Sequence, residues 1–237
     1  MEARRADPKL FPFPGCRGRR SDLGDLRFRR LVGEEGWARL PEAVRRRFSH
    51  RVAAGRTIVY AGEVVECRMS RCGWLLAQLC RLVGAPLPLS RDAFVPATVT
   101  VTEDEVGGGQ VWTRIYGRRR GPSSSLRTCF PQAIHSAKRF AGPTGLEEYI
   151  GRGVGIALSV AVEGEALHFL SDHYFLRMGR LRLRLPRCLA PGRMRVSHVD
   201  CGGGWFAFVL RLDHPLFGGL LRQTALFQER APPEPAP

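Results

Sequence analysis

The sequence predicts an α+β fold rich in β-structure: a curved antiparallel meander sheet or partly closed barrel, with N-terminal helices packed on it. Apolar side chains near the N-terminus follow the helical period, whereas from about residue 95 onward apolar and polar side chains alternate as in strands. Short glycine turns join these strands, which must then be antiparallel because parallel pairs need long crossovers. About nine or ten strands exceed what a flat open sheet carries comfortably, so the sheet should curve and close on the apolar helix.

Three helices are expected in the first part of the chain. The first covers Asp25 to Val32, and the second covers Pro41 to His50, with proline in its first turn. The third runs from about Arg71 to Val83 and is stopped by Gly84. The expected strands cover residues 57–67, 95–102, 111–116, 130–140, 154–162, 167–175, 196–200, 205–213 and 220–228.

The ends of the chain differ in composition from the rest. Residues 1–24 are predicted to be a flexible basic arm, and residues 231–237 a Pro-rich tail that cannot pack. No long linker or internal repeat divides residues 25–230, which are therefore predicted to form a single domain.

The chain is strongly basic, with 37 Lys and Arg against 22 Asp and Glu and a formal charge of +15. Such a charge suits nucleic acid or anionic membranes. Only Lys9 and Lys138 are lysines, and an arginine bias of this kind is typical of a GC-rich genome, so much of the charge is expected to be ordinary surface charge. No stretch is long enough to span a bilayer, and no secretory signal is recognisable, which predicts a cytoplasmic protein.

The seven cysteines are an odd number without Cys-x-x-Cys spacing. This pattern predicts free thiols in a reducing compartment and no metal site. No cofactor is expected.

Four separated motifs resemble the bacterial domain-of-unknown-function family 4166 in the same order. They are Val111–Gly121, Phe130–Tyr149, Leu181–Pro186 with Leu189–Gly192, and His214–Gly218. The resemblance covers about residues 25–230. Residues 122–129 depart from the family pattern as a lengthened loop.

The resemblance implies little about activity, because the family has no settled one. Some members look like appendages of nicotinamide-cofactor-binding domains related to saccharopine dehydrogenase. This chain has no Gly-x-Gly-x-x-Gly after a strand, so no Rossmann nucleotide site is predicted.

Two predicted strands carry the candidate ligand-binding residues: Trp112, Arg114, Gln132, His135, Ser136 and Arg139. One face of strand 130–140 mixes apolar and polar groups, as a cavity wall does: Phe130, Gln132, Ile134, Ser136, Lys138 and Phe140. His135 and Arg139 occupy its other face. Arg114 lies between Trp112 and Tyr116, a pattern that could bind an anion or a base by stacking or could be an exposed sheet face.

Lys138, His173 and His214 are the candidate catalytic residues. A desolvated lysine can act as a base or a Schiff-base nucleophile, although the more common role of such a lysine is that of a rim cation. His173 and His214 share parity with apolar neighbours, which predicts inward side chains and allows an acid–base pair, a metal site or hydrogen-bonded core residues. His214 precedes Pro215 and could serve a turn instead, and His198 is equally ambiguous.

Adjacent carboxylates at Glu147 and Glu148 could supply a base. On a strand they would point to opposite faces, which does not support a paired-carboxylate glycosidase site. Alternatively, Thr144 and Glu147 have the spacing of a capping box at a helix start.

The segment from Arg177 to Arg195 contains seven arginines and no acid. Its arginines alternate with Leu181, Leu183 and Leu185, which predicts a basic surface that could meet phosphates, lipid headgroups or an acidic partner. The residues proposed for this surface are Arg177, Arg180, Arg182, Arg184 and Arg187. The sequence contains no recognised nucleic-acid motif.

The leading hypothesis is a domain that binds a small, largely apolar ligand, with or without an anionic group met by arginine, in a barrel-like cavity. The first alternative is an enzyme on the same scaffold that uses Lys138 or His173 and His214 for proton transfer. The second is a basic module that binds anionic membrane by peripheral contact, or nucleic acid, the less favoured partner. The sequence leaves the oligomeric state open.

Overall fold

A computed structural model describes residues 25–50, 52, 56–118 and 131–230. The predicted arm at 1–24, the tail at 231–237, the lengthened loop at 122–129 and Phe130 lie outside the described residues.

The described chain contains three α-helices and eleven strands. The helices are α1 (Arg27–Arg39), α2 (Glu42–Ser49) and α3 (Arg71–Leu79), and short 3-10 turns follow at Cys80–Val83 and Arg187–Leu189. The strands are β1 (Ile58–Met69), β2 (Val95–Asp104), β3 (Gly109–Tyr116), β4 (Gln132–Arg139), β5 (Glu147–Gly151), β6 (Val154–Glu163), β7 (Ala166–Met178), β8 (Leu181–Arg184), β9 (Arg193–Gly202), β10 (Trp205–His214) and β11 (Gly218–Arg230).

The strands form one closed antiparallel barrel. Their order is β6-β5-β4-β3-β2-β1-β11-β10-β9-β7-β8, and β6 also pairs with β7. This last pairing closes a ring of ten strands. The remaining strand, β8, pairs with the last four residues of β7, Phe175–Met178. The prediction of a β-rich α+β fold with a curved antiparallel sheet or barrel is confirmed.

Helices pack at the two ends of the barrel, called here the lower and the upper end. At the lower end, α1 and α2 insert Phe28 and Phe48, whose rings lie 6.0 and 5.8 Å from that of Phe169 on the barrel wall. At the upper end, the Ser70 amide before α3 donates to the Leu220 carbonyl over 3.0 Å. The lower end is therefore filled by α1 and α2, whereas α3 packs beside β11 at the upper end.

Three local predictions need correction. Helix α1 breaks after Val32 as predicted, because Gly33 takes a non-helical φ of 75° and ψ of 165°, but a second helical segment that was not predicted follows and extends α1 to Arg39. Residues 147–151 form a strand, so Thr144 and Glu147 do not start a helix.

The apolar face of α3 is the third correction. This face was expected to pack on the barrel, but Gly73, Leu76 and Ala77 lie against it instead, and Trp74, Leu75 and Leu79 are exposed. The reason is that only a glycine permits the backbone approach made at this end of the barrel.

Gly73 lies so close to the barrel that alanine should not fit. A Cβ at this position would come within 2.0 Å of the Leu220 carbonyl oxygen. We expect Gly73→Ala to lower the free energy of unfolding by about 1–3 kcal/mol, because α3 must move away from β11. Chemical denaturation measures this loss.

Gly36→Ala is the matched control within a helix. A Cβ at Gly36 would make an ordinary contact at 3.6 Å with Val162. Because alanine is the better helix former, this variant should be neutral or more stable by up to about 1 kcal/mol. Equal losses in the two variants would contradict the close approach at Gly73.

Candidate ligand-binding site

A cavity of about 120 Å³ lies inside the barrel. Its wall is largely apolar, with Ile156, Phe169, Met194 and Phe208 among the lining side chains. A few polar groups interrupt this wall: Arg114, Lys138, Glu148 and Gln223, with Tyr116 and Tyr174. An apolar chamber with few polar groups is the usual form of a small-molecule site.

Strand alternation brings the polar groups together. Arg114 on β3 lies between Trp112 and Tyr116 on the inner face, and Lys138 follows Ser136 two residues later on β4. Lys138 pairs directly with Glu148 on β5. Three neighbouring strands thus each contribute at least one polar side chain to the same part of the wall.

These side chains form one buried network around the Glu148 carboxylate. Lys138 Nζ and Arg114 Nη2 each donate to Glu148 Oε1 over 2.9 Å. Ser136 Oγ donates to the same oxygen over 2.6 Å and accepts from Arg114 over 3.1 Å. Lys138 Nζ also lies 4.9 Å from the centre of the Trp112 ring, within range of a cation–π interaction.

The network contains two cations and one anion. Burial alone would raise the pKa of Glu148, but Lys138 and Arg114 outweigh it and lower that pKa well below the usual range. Burial lowers the pKa of Lys138, and Glu148 opposes this effect. With all three groups ionised, one positive charge is left over beside an apolar cavity.

Arg114 retains donors for a further partner. Its Nη2 atom makes the bonds to Ser136 and Glu148, and within the described chain its Nε and Nη1 atoms have no hydrogen-bond partner. Its side chain is 23% exposed, against 6% for Glu148. Arg114 is therefore the cation of this network best placed to meet an anion in the cavity.

The cavity's cover at the upper end is held by Gln132. Its side-chain amide donates to the Leu87 carbonyl and accepts from the Leu89 amide, both over 2.8 Å. The segment so anchored contributes Pro86, Leu87 and Pro88 to the cavity lining. Gln132 thus positions the cover and is not itself among the lining residues.

His135 and Arg139 lie on the outer face of β4, away from the cavity. His135 is exposed and shares a 2.9 Å hydrogen bond with Thr113. Arg139 forms an ion pair with Asp104 at 2.6 Å. The alternation of β4 that turns Ser136 and Lys138 inward turns these two outward, so they cannot contact a ligand in the cavity.

His173 also points outward, contrary to the inward side chain that its parity predicts. Ala157 and Leu158 of β6 pair with His173 and Ser171 of β7, so Asp172 is an extra residue in β7. This bulge reverses which side chains of β7 face the barrel interior from that point onward. Tyr174 consequently lines the cavity, while the His173 ring contacts Asp172 at 2.5 Å and Arg182 at 3.2 Å.

His214 serves the turn after β10. The amide of Leu216 donates to its Nδ1 atom over 3.2 Å, and its ring stacks on Phe217. A register shift after Leu212 separates it from the inward residues of β10. His173 and His214 thus have separate partners, and the structure does not join them as an acid–base pair.

His198 and Glu147 occupy two other buried positions. His198 is 1% exposed near the lower end, packed between Phe48 and Phe206, and accepts from Arg47 at 3.3 Å. Glu147 faces outward and pairs with Arg182 at 2.8 Å, so the two adjacent carboxylates do point to opposite faces.

Glu148 is the residue whose place in the site the sequence reasoning missed. It was considered only as an isolated base, whereas it is the common partner of Lys138 and Arg114. The signal was the rarity of lysine in the chain together with an inward-facing acid on the next strand. Using this signal requires the β4–β5 register, which the sequence alone does not supply.

The basic residues of 177–187 divide into two kinds. Arg177 donates to the Tyr149 hydroxyl at 3.0 Å, and Arg182 is paired with Glu147. Arg180, Arg184 and Arg187 are exposed. All four residues of β8 are exposed, so Leu181 and Leu183 are not covered as an apolar face.

In the described ranges, no group of three or more His, Cys, Asp or Glu side chains could hold a metal ion. The described cysteines are free thiols: Cys67, Cys72, Cys80, Cys188 and Cys201. No helix among the described residues is long and apolar enough to cross a membrane.

Comparison with known proteins identifies a family. No curated protein and no solved structure matches this chain. The family model described as "Domain of unknown function (DUF4166)" matches residues 40–227, which include the barrel strands from β1 almost to the end of β11 and every polar residue of the cavity wall. The chain therefore belongs to the DUF4166 family.

Proposed function

We propose that the barrel binds a small, largely apolar ligand that carries an anionic group, and that Arg114 contacts this group. The observation that supports the proposal best is the surplus positive charge of the network formed by Arg114, Lys138 and Glu148 in the wall of an apolar cavity. An ion without a partner is expensive to bury, and a ligand anion would supply that partner.

Binding of matched carboxylates and alcohols tests this proposal. Straight-chain carboxylates from hexanoate to dodecanoate should bind more tightly than the alcohols of equal length, as measured by calorimetry. In Arg114→Gln, carboxylate affinity should fall by about tenfold or more, because a hydrogen bond to a charged group is lost, while alcohol affinity changes little. Native mass spectrometry of the protein purified from its own host would identify the natural ligand.

Arg180→Gln is the control, since it removes one positive charge from the exposed surface. It should leave carboxylate affinity unchanged. Equal affinity for carboxylates and alcohols would refute the anionic contact, and failure of both series to bind would refute the ligand-binding cavity.

An enzyme that uses Lys138 is the second candidate. It is favoured by the burial of this amine on the cavity wall, which lowers its pKa and increases the share of the nucleophilic neutral form. Condensation of the amine with an aldehyde would form a Schiff base and release water.

Borohydride reduction in the presence of octanal tests this second candidate. The peptide that contains Lys138 should gain the mass of one octyl group, and Lys138→Met should gain none. If wild-type protein stays unmodified at Lys138, the amine does not react with carbonyl compounds and the candidate fails.

A further inference from the structure

Large apolar side chains are exposed around the upper end of the barrel. On α3, Trp74, Leu75 and Leu79 are 46%, 55% and 57% exposed, and Leu82 in the following turn is 67% exposed. An amphipathic helix normally buries such side chains against its own domain. Here Gly73, Leu76 and Ala77 face the barrel, so the other large apolar side chains of α3 face outward.

Other elements add to this apolar surface. The turn between β10 and β11 exposes Leu216 and Phe217, at 83% and 60%. On the other side of the same end, the β7–β8 hairpin exposes Met178 and Leu181, and Leu189 follows it. Exposed apolar groups clustered on several elements at one end are typical of an interaction surface, because single scattered ones would need no explanation.

Arginines lie among these apolar groups. The exposed arginines on α3, on β8 and on the loops at this end include Arg71, Arg81, Arg91, Arg152, Arg180, Arg184 and Arg187. Beneath them, Arg68, Arg222, Arg211 and Arg195 stand directly opposite one another across four strands. Glu66 pairs with both Arg68 and Arg222, and Glu163 pairs with Arg195, which offsets part of the repulsion in this row. Arg211 forms no ion pair with a described residue, so it is the member of the row that an external anion would stabilise most.

Exposed carboxylates lie mainly at the other end. Those on α1, α2 and the lower turns and strand ends are Glu34, Glu35, Glu42, Glu105, Glu163, Glu165 and Glu229. Asp172 and Asp213 are exposed nearer the upper end, where arginines are more numerous, and Glu63 is exposed midway along β1. The exposed arginines of the lower end, Arg30, Arg39, Arg46 and Arg56, are fewer than its exposed carboxylates. Among the described residues, the net positive charge and most of the exposed apolar groups therefore lie at the upper end.

We infer that the upper end docks on the surface of an anionic bilayer. Apolar side chains that enter the interface and arginines that meet lipid phosphates are the two features that bind peripheral proteins to such surfaces. A polyanion such as RNA would use the arginines but leave the exposed leucines in water. This inference does not depend on the ligand proposed above, although Cys80 in the turn after α3 lines the cavity.

Flotation with lipid vesicles tests the inference. The protein should float with phosphatidylcholine vesicles that contain about one quarter phosphatidylglycerol, and added salt should release it. The triple variant Leu75→Ser, Leu79→Ser, Leu82→Ser should bind the vesicles at least about tenfold more weakly than wild type, because the apolar contribution of the three leucines is lost. Arg211→Gln and Arg222→Gln should each weaken binding about fivefold and reduce its salt dependence.

Val106→Ser is the matched control, since Val106 is 93% exposed in the β2–β3 turn at the lower end. It should float like the wild type, and the thermal unfolding midpoints of all these variants should agree. The inference is overturned if wild-type protein stays with the unbound fraction, if the triple variant floats like wild type, or if Val106→Ser loses as much binding. Binding to single-stranded RNA in place of vesicles would overturn it as well.

The two proposals can fail separately. Arg114→Gln, which weakens carboxylate binding, should float normally because Arg114 lies inside the barrel. The triple leucine variant should keep its carboxylate affinity, since none of the three leucines lines the cavity.

Discussion

Glu148→Gln should lower the free energy of unfolding by about 3–5 kcal/mol, the loss typical of breaking a buried ion pair from one side. The carboxylate is 6% exposed and accepts from both Lys138 and Arg114. Its removal leaves two buried cations facing each other without an anion. Chemical denaturation near neutral pH measures the loss.

A second substitution separates charge from packing. Lys138→Met alone leaves Arg114 paired with Glu148, so it should cost less than Glu148→Gln. In the double variant Lys138→Met, Glu148→Gln only one buried cation is left, and the loss should be smaller than the sum of the two single losses. If Glu148→Gln does not fold, recovery of folding in the double variant gives the same result.

Glu147→Gln is the neighbouring control. Glu147 is also buried, but its partner Arg182 is 33% exposed on the outer surface. Solvent screens that pair, so the expected loss is about 1 kcal/mol. Equal losses at 147 and 148 would contradict the importance of the interior network.

The pH dependence follows from the direction of the Glu148 shift. Because its folded pKa is lowered, the carboxylate stabilises the fold above the ordinary glutamate pKa of about 4.3, and this contribution is lost as the pH falls toward the folded pKa. The difference in stability between wild type and Glu148→Gln should therefore be constant near neutral pH and narrow below about pH 4.

Strand alternation is sufficient to predict much of this architecture. It places Trp112, Arg114 and Tyr116 on one face of β3, and Ser136 and Lys138 on one face of β4, as the structure has them. These strands are regular, so each side chain follows from its neighbour's parity. Glycine turns similarly indicate antiparallel pairing before any long-range contact is known.

The features that sequence reasoning missed depend on single residues or on distant contacts. The extra residue Asp172 reverses the faces of β7 and turns His173 outward, and nothing in the sequence around Asp172 marks a bulge. Predicting the ion pair between Lys138 and Glu148 requires the register of β4 against β5, which the loop between them does not reveal. The outward face of α3 depends on the close contact of Gly73 with Leu220, which helical periodicity cannot show.

His198 should make the stability of the protein fall in mild acid. Burial, with the Arg47 charge added, lowers the pKa of His198 to about 3, whereas a histidine in the unfolded chain titrates near 6.5. Below about pH 6.5 the unfolded state binds a proton that the folded state does not, so stability decreases by up to about 1.4 kcal/mol per pH unit. From about pH 7 to about pH 5, this one group should remove about 2 kcal/mol.

His198→Phe should remove this part of the pH dependence. A phenylalanine can pack against Phe48, Phe206 and Phe208, which surround the imidazole at 4.7 to 5.1 Å between ring centres. Its stability should thus fall by about 2 kcal/mol less than that of wild type over the same pH range. Burial also lowers the pKa of His168, but that contribution is present in both proteins and cancels in the comparison.

The same titration should loosen the lower end of the barrel first. Arg47 on α2 donates to His198 and also contacts Asp200, so a neutral imidazole helps to fix the helix against β9. A protonated ring would place a second buried cation 3.3 Å from the guanidinium. Hydrogen exchange in α2 should therefore accelerate between about pH 6.5 and pH 5 in wild type after correction for intrinsic rates, and much less in His198→Phe. Equal acceleration of exchange in the two proteins would show that groups other than His198 loosen α2. The same conclusion would follow if His135→Gln, a substitution on the outer face, reduced the pH dependence of stability as much as His198→Phe does.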